Sequence, residues 1–307
     1  MIQACIMDVD ELADESIKSP DTVKSITAEE VTSLLDYTTI ILSEEPVLIE
    51  VNKPVVFIGD THGDYETTRA VVDRYLKEDK IIVFLGDYVD RSPVQWGSVY
   101  NIIYLFLLKY RYPDRFILLR GNHEANNIIP CYPYSFDYEV EQYFKSPRVH
   151  DEFVKAFSML PLMVISHRVY AAHGGFIPGF NKGMLTSIDK NDRCFVEMIV
   201  WSDPVLSPTL RGAGYRFKED ELRSFLTGVN SRVFIRGHDY HTLGLSIYNN
   251  QCLTIFTSRT YKDMGNGGVL AAEVNQNVKS VDDVRVMDYS TGEWRLYKVK
   301  KNCRFII

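Results

Sequence analysis

The chain has no CxxC pair. Its five cysteines, Cys5, Cys131, Cys194, Cys252 and Cys303, stand singly and are odd in number, which argues against a zinc knuckle, a dithiol redox motif or a paired disulfide framework. The opening residues MIQACIMDVDELADE turn acidic at once, where a signal peptide would be basic and then apolar, so a reducing, cytoplasmic setting is expected. Long apolar runs are missing as well. None approaches the ~20 residues that a membrane span needs, so no membrane partner is expected. Nor is there an excess of basic residues. A net charge of −7 sets most of the surface against nucleic acid, although a local cationic site for phosphate can sit inside an acidic exterior. Internal repeats, low-complexity tracts and Pro/Ser-rich linkers are absent, and nothing divides the chain beyond its first residues.

What is present is apolar content: 46% of 307 residues is enough to bury a large core without disulfides. Residues 1–25 mix Asp, Glu, Ser and Lys without sustained periodicity and are expected to form an N-terminal arm, with a single domain over 26–307. Thr27 to Glu30 (TAEE) is a capping box, and Val31, Leu34 and Leu35 follow at helical spacing, so a first helix begins there and ends before Pro46.

A rhythm of buried strands follows. Val55 to Ile58 stops at Gly59-Asp60, and Ile81 to Leu85 stops at Gly86-Asp87. The helix between them carries Ala70, Val71, Val72, Tyr75 and Leu76 on one face, which makes a βαβ unit with parallel strands. A second helix shows Trp96, Val99, Ile103, Phe106, Leu107 and Tyr110 on one side, and strand Phe116 to Leu119 then runs into Arg120-Gly121-Asn122-His123-Glu124. In the second half, strand pair Val164-Ile165 and Val169 to Ala172 ends at His173-Gly174-Gly175. Strand Val233 to Ile235 ends at Gly237-His238. Leu245 to Tyr248 and Cys252 to Phe256 flank Asn249-Asn250, a hairpin signature, and further strands are expected at Val269 to Val274, Val284 to Met287 and Trp294 to Val299.

Strand after strand thus ends in a small residue followed by Asp, Asn or His, which gathers those side chains at the carboxyl edges of a sheet, where open α/β sheets bind ligands. One Gly-Asp pair after a strand is usually a turn. Their repetition is what matters. Asp60 and His62 offer two donors from one turn, and the two oxygens of Asp87 can bridge a pair of cations. Asn122, His173 and His238 complete a second set. Oxygen and imidazole donors without thiolate suit manganese, iron or zinc in a reactive site better than calcium or a structural zinc.

The motifs GDTHG at 59–63, GDYVDR at 86–91, RGNHE at 120–124, HGG at 173–175, WSDP at 201–204 and RGHD at 236–239 resemble, in this order, the phosphoprotein phosphatase family of serine/threonine phosphatases, which includes calcineurin. The resemblance covers roughly residues 26–275 and takes in Leu160-Pro161, Tyr261 and Asn266-Gly267. It implies an α/β fold, a central β-sandwich of mixed sheets flanked by helices, and a two-metal hydrolase of phosphoserine and phosphothreonine esters in proteins. By the same resemblance Asp60, His62 and Asp87 hold one metal and Asp87, Asn122, His173 and His238 the other. Arg91 and Arg211 would grip the phosphate beside Asn122, with Tyr261 at its rim, and Asp203 would support the metal site. Manganese is the first choice in vitro, and phosphoproteins are the expected partners.

Chemistry assigns the remaining parts. An alkoxide leaving group needs a proton, and His123 has the neighbourhood to give it, with Asp90 fixing its tautomer. No covalent phosphoenzyme is indicated, since none of the five cysteines has an arginine six positions later. A small-molecule hydrolase such as a dinucleoside tetraphosphatase is the alternative, whose relatives usually carry GNHD where Glu124 stands here. His150 and His167 are expected to be structural, and His241 falls one residue beyond the second His of a GHxH motif. Tyr132 to Tyr143 reads as a packed loop and helix, with a substrate-groove wall as the competing reading. The basic Lys298 to Lys301 reads as a solvated strand end. Three positions depart from the family: Ser92 replaces the last Gly of GDxVDRG, where a positive φ would cost ~1 kcal/mol of strain; Asp64 stands where an amide is usual; and Lys262 stands where several members have cysteine.

Overall fold

The structure is a computed structural model that describes residues 7–180, Gly183 and 188–301; Cys5 and Cys303 lie outside the described residues. Two sheets form its centre. One has the order β14 (Arg295–Leu296), β13 (Arg285–Asp288), β12 (Leu270–Val274), β2 (Val55–Ile58), β3 (Ile81–Phe84), β4 (Phe116–Leu118). The other runs β1 (Leu48–Val51), β5 (Met163–Ser166), β6 (Val169–Ala172), β9 (Val233–Arg236), β11 (Cys252–Thr254), β10 (Leu245–Ile247), β15 (Lys300–Lys301), and β7 (Asp203–Pro204) pairs separately with β8 (Arg216–Phe217).

The central strands have no polar face, so each side of each sheet must be covered. Alternate residues divide accordingly. Val55, Phe57, Val83 and Ile117 meet Val164, Ala171, Ile235 and Leu253 in the layer between the sheets. Val56, Ile58, Ile82, Phe84 and Leu118 face outward under α2 (Ala28–Glu44), α3 (Tyr65–Tyr75), α4 (Gly97–Arg111), α5 (Phe136–Phe144) and α6 (Arg148–Ser158). On the opposite outer face, Tyr170, Ala172 and Phe234 lie under α7 (Arg193–Val200) and α8 (Glu219–Gly228). The expected sandwich of mixed sheets flanked by helices is the fold observed.

Direction matters most for function. Strands β2, β3 and β4 are mutually parallel, and β6, β9 and β11 are parallel to one another. The segments that follow β2, β3, β4, β6 and β9 therefore converge at one edge of the sandwich. The capping box at Thr27 and Glu30 forms as expected, with reciprocal bonds of 2.8 and 3.2 Å. Asn249 and Asn250 take φ of 51° and 65° in their hairpin, and His167 and Arg168 do the same between β5 and β6 at 48° and 66°.

Three expectations need correction. The segment expected as an aperiodic arm contains α1 (Val9–Lys18), which buries Val9, Leu12, Ala13 and Ser16 at helical spacing. Small Ala and Ser on that face hid its periodicity, and Tyr110 and Arg111 of α4 bond Asp10 and Asp14 at 3.0 and 2.8 Å. The second is α4, whose apolar side proves to be nearly its whole circumference, because α1, α2, α3 and α5 all pack on it. Strand β14 is also shorter than expected, covering Arg295–Leu296 of the anticipated run from Trp294 to Val299.

Candidate active site

The loops after the strands are held in conformations that side chains rarely adopt. His62, Asp87, Asp90, Arg91 and His238 have φ of 43°, 54°, 65°, 56° and 66°. Non-glycine residues in this region cost about 1–3 kcal/mol each and persist where surroundings over-determine them. Ser92 is not among them, so the condition for strain at that position is not met, and the positive φ angles fall one and two residues earlier. Its hydroxyl instead donates to Val94 O at 2.7 Å and to Gly63 O at 3.1 Å, tying the turn together. Glycine is needed where backbones touch: a Cβ on Gly237 would lie 1.9 Å from Asp60 Oδ1, and one on Gly121 would lie 2.3 Å from Asp87 Oδ1.

These constraints bring Asp60, His62, Asp87, Asn122, His173 and His238 together, all buried. His62 Nδ1 donates to Val89 O at 2.9 Å, which leaves Nε2 as a lone pair 3.5 Å from Asp87 Oδ2. His173 repeats the device, with Nδ1 on Leu85 O at 3.0 Å and Nε2 at 3.3 Å from Asp87 Oδ1 and 3.1 Å from Asn122 Oδ1. His238 Nδ1 lies 2.9 Å from Asn122 Oδ1. Asp60 Oδ2 accepts from the His238 amide at 2.9 Å, while Oδ1 and His238 Nε2 are buried without a partner.

Lone pairs facing lone pairs require positive charge between them. In the absence of a metal that charge is a proton. Burial and neighbouring Asp87 push the Asp60 carboxyl up to about 8, against the pull of His173. Although burial opposes its charge, Asp87 and Asp60 raise the His173 pKa; burial instead drives His62 down to about 3. Crowded carboxylates and neutral imidazoles with orphaned atoms are what a divalent cation satisfies. Geometry separates two candidate groups around Asp87, one with His62 and His123 and one with His173 and His238.

Beside them, His123 Nδ1 lies 2.5 Å from Asp90 Oδ2, and its Nε2 is buried without a partner 3.9 Å from Asp87 Oδ2. Burial opposes its charge, but Asp87 and Asp90 raise its pKa well above the usual value. Asp90 is fixed in turn by the amide and hydroxyl of Ser135 at 2.7 and 3.1 Å. Arg91 Nη1 donates to Tyr261 Oη at 3.0 Å, and the Tyr261 ring lies 5.3 Å from that of His62. Arg211 is anchored at Asp203 Oδ2 (2.6 Å) and at His238 O (2.9 Å), beside a cavity of about 300 Å³.

Sequence reasoning left several contributors without a role. Glu124 accepts from the amides of Asp87, Tyr88 and Gly121 at 2.8, 2.8 and 2.9 Å, locking two site loops together. Arg236, fully buried, bonds Gly174 O at 2.7 Å and Asp203 Oδ1 at 2.8 Å. The opposite charges of WSDP and RGHD were the available signal for that pair. Cys131 Sγ lies 3.7 Å from His123 Nδ1, which no spacing announced. Tyr132 to Tyr143 is both a packed helix and a wall: Phe136 and Val140 are buried, while Ser135 and Tyr138 line a groove of about 560 Å³ that opens on Arg91. His150 bonds Tyr134 Oη at 2.9 Å, His241 joins none of the candidate metal groups among the described residues, and Lys301 pairs with Asp282 at 2.7 Å.

The chain matches the family described as calcineurin-like phosphoesterases over residues 53–241, more than half its length, and belongs to that family. Family membership implies divalent metal ions. A serine/threonine-protein phosphatase of Candida albicans, described as PP2A-like, is 31% identical over 264 residues, covering 80% of this chain and 62% of that protein. The chain therefore spans a little under two thirds of that relative. A protein phosphatase 2A catalytic chain of Dictyostelium discoideum is 29% identical over 279 residues, with 86% of each covered. A solved protein serine/threonine phosphatase from Saccharomyces cerevisiae has the same fold, with a TM-score of 0.72 at 22% identity over 85% of this chain and 88% of that one.

Proposed function

We propose that this chain is a metal-dependent protein serine/threonine phosphatase that hydrolyses phosphoserine and phosphothreonine esters in a single in-line step. The observation that carries the reading is the Asp87 carboxylate, set between His62 Nε2 at 3.5 Å and His173 Nε2 at 3.3 Å, with the Nδ1 of each imidazole bonded to a backbone carbonyl so that its Nε2 is the atom left for a cation. Asp60, His62 and Asp87 would hold one cation, and Asp87, Asn122, His173 and His238 the other, whether manganese, iron or zinc. Two such cations supply positive charge at the ester oxygens and a nucleophile ionised near neutral pH. Arg91 and Arg211 offer planar donors to the phosphate, beside Asn122, each already oriented by a partner. Tyr261 holds Arg91 at the rim. His123, paired through Nδ1 with the Asp90 carboxylate, gives its Nε2 proton to the departing serine or threonine oxygen, and no residue forms a covalent phosphoenzyme.

A phosphoprotein substrate is supported by the serine/threonine phosphatases among the relatives and by the open groove of about 560 Å³ beside Arg91. A cytoplasmic setting suits the unpaired Cys131, Cys194 and Cys252, and among the described residues no helix is long and apolar enough to cross a membrane. The test is phosphate release by purified protein, with and without manganese, from phosphoserine, phosphothreonine and phosphotyrosine peptides, alongside release of adenine nucleotides from diadenosine tetraphosphate. Metal-dependent release from the first two, abolished by Asp87→Asn, is expected. Hydrolysis of an aryl phosphate or of diadenosine tetraphosphate with both serine and threonine peptides untouched would overturn it.

A further inference from the structure

The two loops nearest the phosphate rim are joined by an ion pair. Asp64, with a fully buried side chain, receives three donors of Arg259: the backbone amide at 2.7 Å, Nε at 3.0 Å from both carboxylate oxygens, and Nη2 at 2.5 Å. Asp64 follows the GDTHG turn that carries Asp60 and His62. Arg259 opens the single 3-10 turn Arg259–Tyr261, whose last residue reaches Arg91 Nη1 at 3.0 Å. The neighbouring strand crossing is fixed separately, by Thr257 N to Asp60 O at 3.0 Å and by the Gly59 amide to Thr257 Oγ1 at 2.9 Å. The Tyr261 ring packs on Phe256 and Tyr240 with centroids 5.0 and 5.8 Å away, and the Asp64 clasp fixes the other end of the three-residue turn.

We propose that Asp64 is a positioning residue for phosphate binding: through its three-pronged grip on Arg259 it sets the Arg259–Tyr261 turn, and so the hydroxyl that orients Arg91. This rests on the proposed phosphatase reading. A neutral amide at position 64 would keep one acceptor but lose the charge and the second oxygen. The carboxylate is what makes a two-oxygen clasp of the guanidinium possible. Asp64 also caps α3, accepting from Thr67 N at 3.4 Å and Thr67 Oγ1 at 2.7 Å, and an Asn there caps a helix as well as an Asp. Asp64→Asn therefore breaks the charged two-oxygen clasp and spares the cap.

The test uses the full chain with manganese and para-nitrophenyl phosphate, with orthophosphate as competitive inhibitor. Asp64→Asn and Arg259→Ala should each raise KM and the inhibition constant of orthophosphate by about tenfold, with kcat changed less, since a displaced positioning group acts first on binding. The double variant should match either single one, and in a Tyr261→Phe background Asp64→Asn should add nothing. Additive losses, an Arg259→Ala variant with the parent KM, or a melting temperature that falls while KM and inhibition constant stay at parent values would each overturn the inference. Absence of metal-dependent hydrolysis by the parent chain would instead remove the phosphatase reading itself, so the two failures are told apart.

Discussion

Asp90 Oδ2 sits 2.5 Å from His123 Nδ1, with both side chains buried and Asp90 held from behind by Ser135. The pairing fixes which nitrogen faces the site and keeps the imidazole charged. If His123 is the general acid, its removal should matter in proportion to how badly the leaving group needs a proton. His123→Ala is expected to slow a phosphoserine peptide by about 10²–10³-fold and para-nitrophenyl phosphate by about tenfold or less, because a phenolate leaves largely unaided. Asp90→Asn should show the same pattern more weakly. Equal losses on both substrates would remove His123 from this role.

The cluster of carboxylates and imidazoles also makes a prediction about pH and metal. Asp60 and Glu124, pushed up to about 8 and about 7 chiefly by burial, and His173, raised by Asp87 and Asp60 against burial, hold protons in the fold that the unfolded chain releases earlier. Their contribution to stability is complete below their unfolded pKa values and is lost as pH rises through the folded ones. His62 and His238, both lowered by burial, act in the opposite sense below 6.5, so the clear window is 6.5 to about 8. Chelator-treated protein should melt at a lower temperature at pH 8 than at pH 6.5, and manganese should raise the melting temperature more at pH 8, since metal replaces those protons. Scanning calorimetry at the two pH values checks both signs.

Close approach at Gly237 can be tested alone. Its φ is not in the positive region, so a methyl group there acts sterically, meeting Asp60 Oδ1 at 1.9 Å. Gly237→Ala should displace Asp60 and weaken manganese activation about 10–100-fold, as changes beside metal ligands commonly do. An unchanged activation constant would show that Asp60 does not bear on metal binding.

How much of this was legible in the sequence follows from the physics of each part. Strands such as Val55–Ile58 and Ile81–Phe84 were readable because burial on both faces leaves an unbroken apolar run, and the grouping of Asp60, Asp87, Asn122, His173 and His238 was readable because each follows such a run. Helix α1 escaped because Ala13 and Ser16 bury a face without being large or hydrophobic. The grip of Asp64 on Arg259 escaped for a different reason: 195 residues separate the partners, and only the folded edge of the sandwich brings them together. The positive φ angles at Asp90 and Arg91 gave no sequence signal, because a missing glycine at Ser92 marks where a positive φ is tolerated, not where the turn puts it.

The central claim is that Asp87 bridges two cations, and the most direct measurement is an anomalous difference map from a crystal of the manganese-loaded protein. The account predicts two peaks about 3.5–4 Å apart on either side of the Asp87 carboxylate, one reached by Asp60 and His62 and the other by Asn122, His173 and His238. A single peak, or peaks that leave Asp87 without a metal contact, would contradict it.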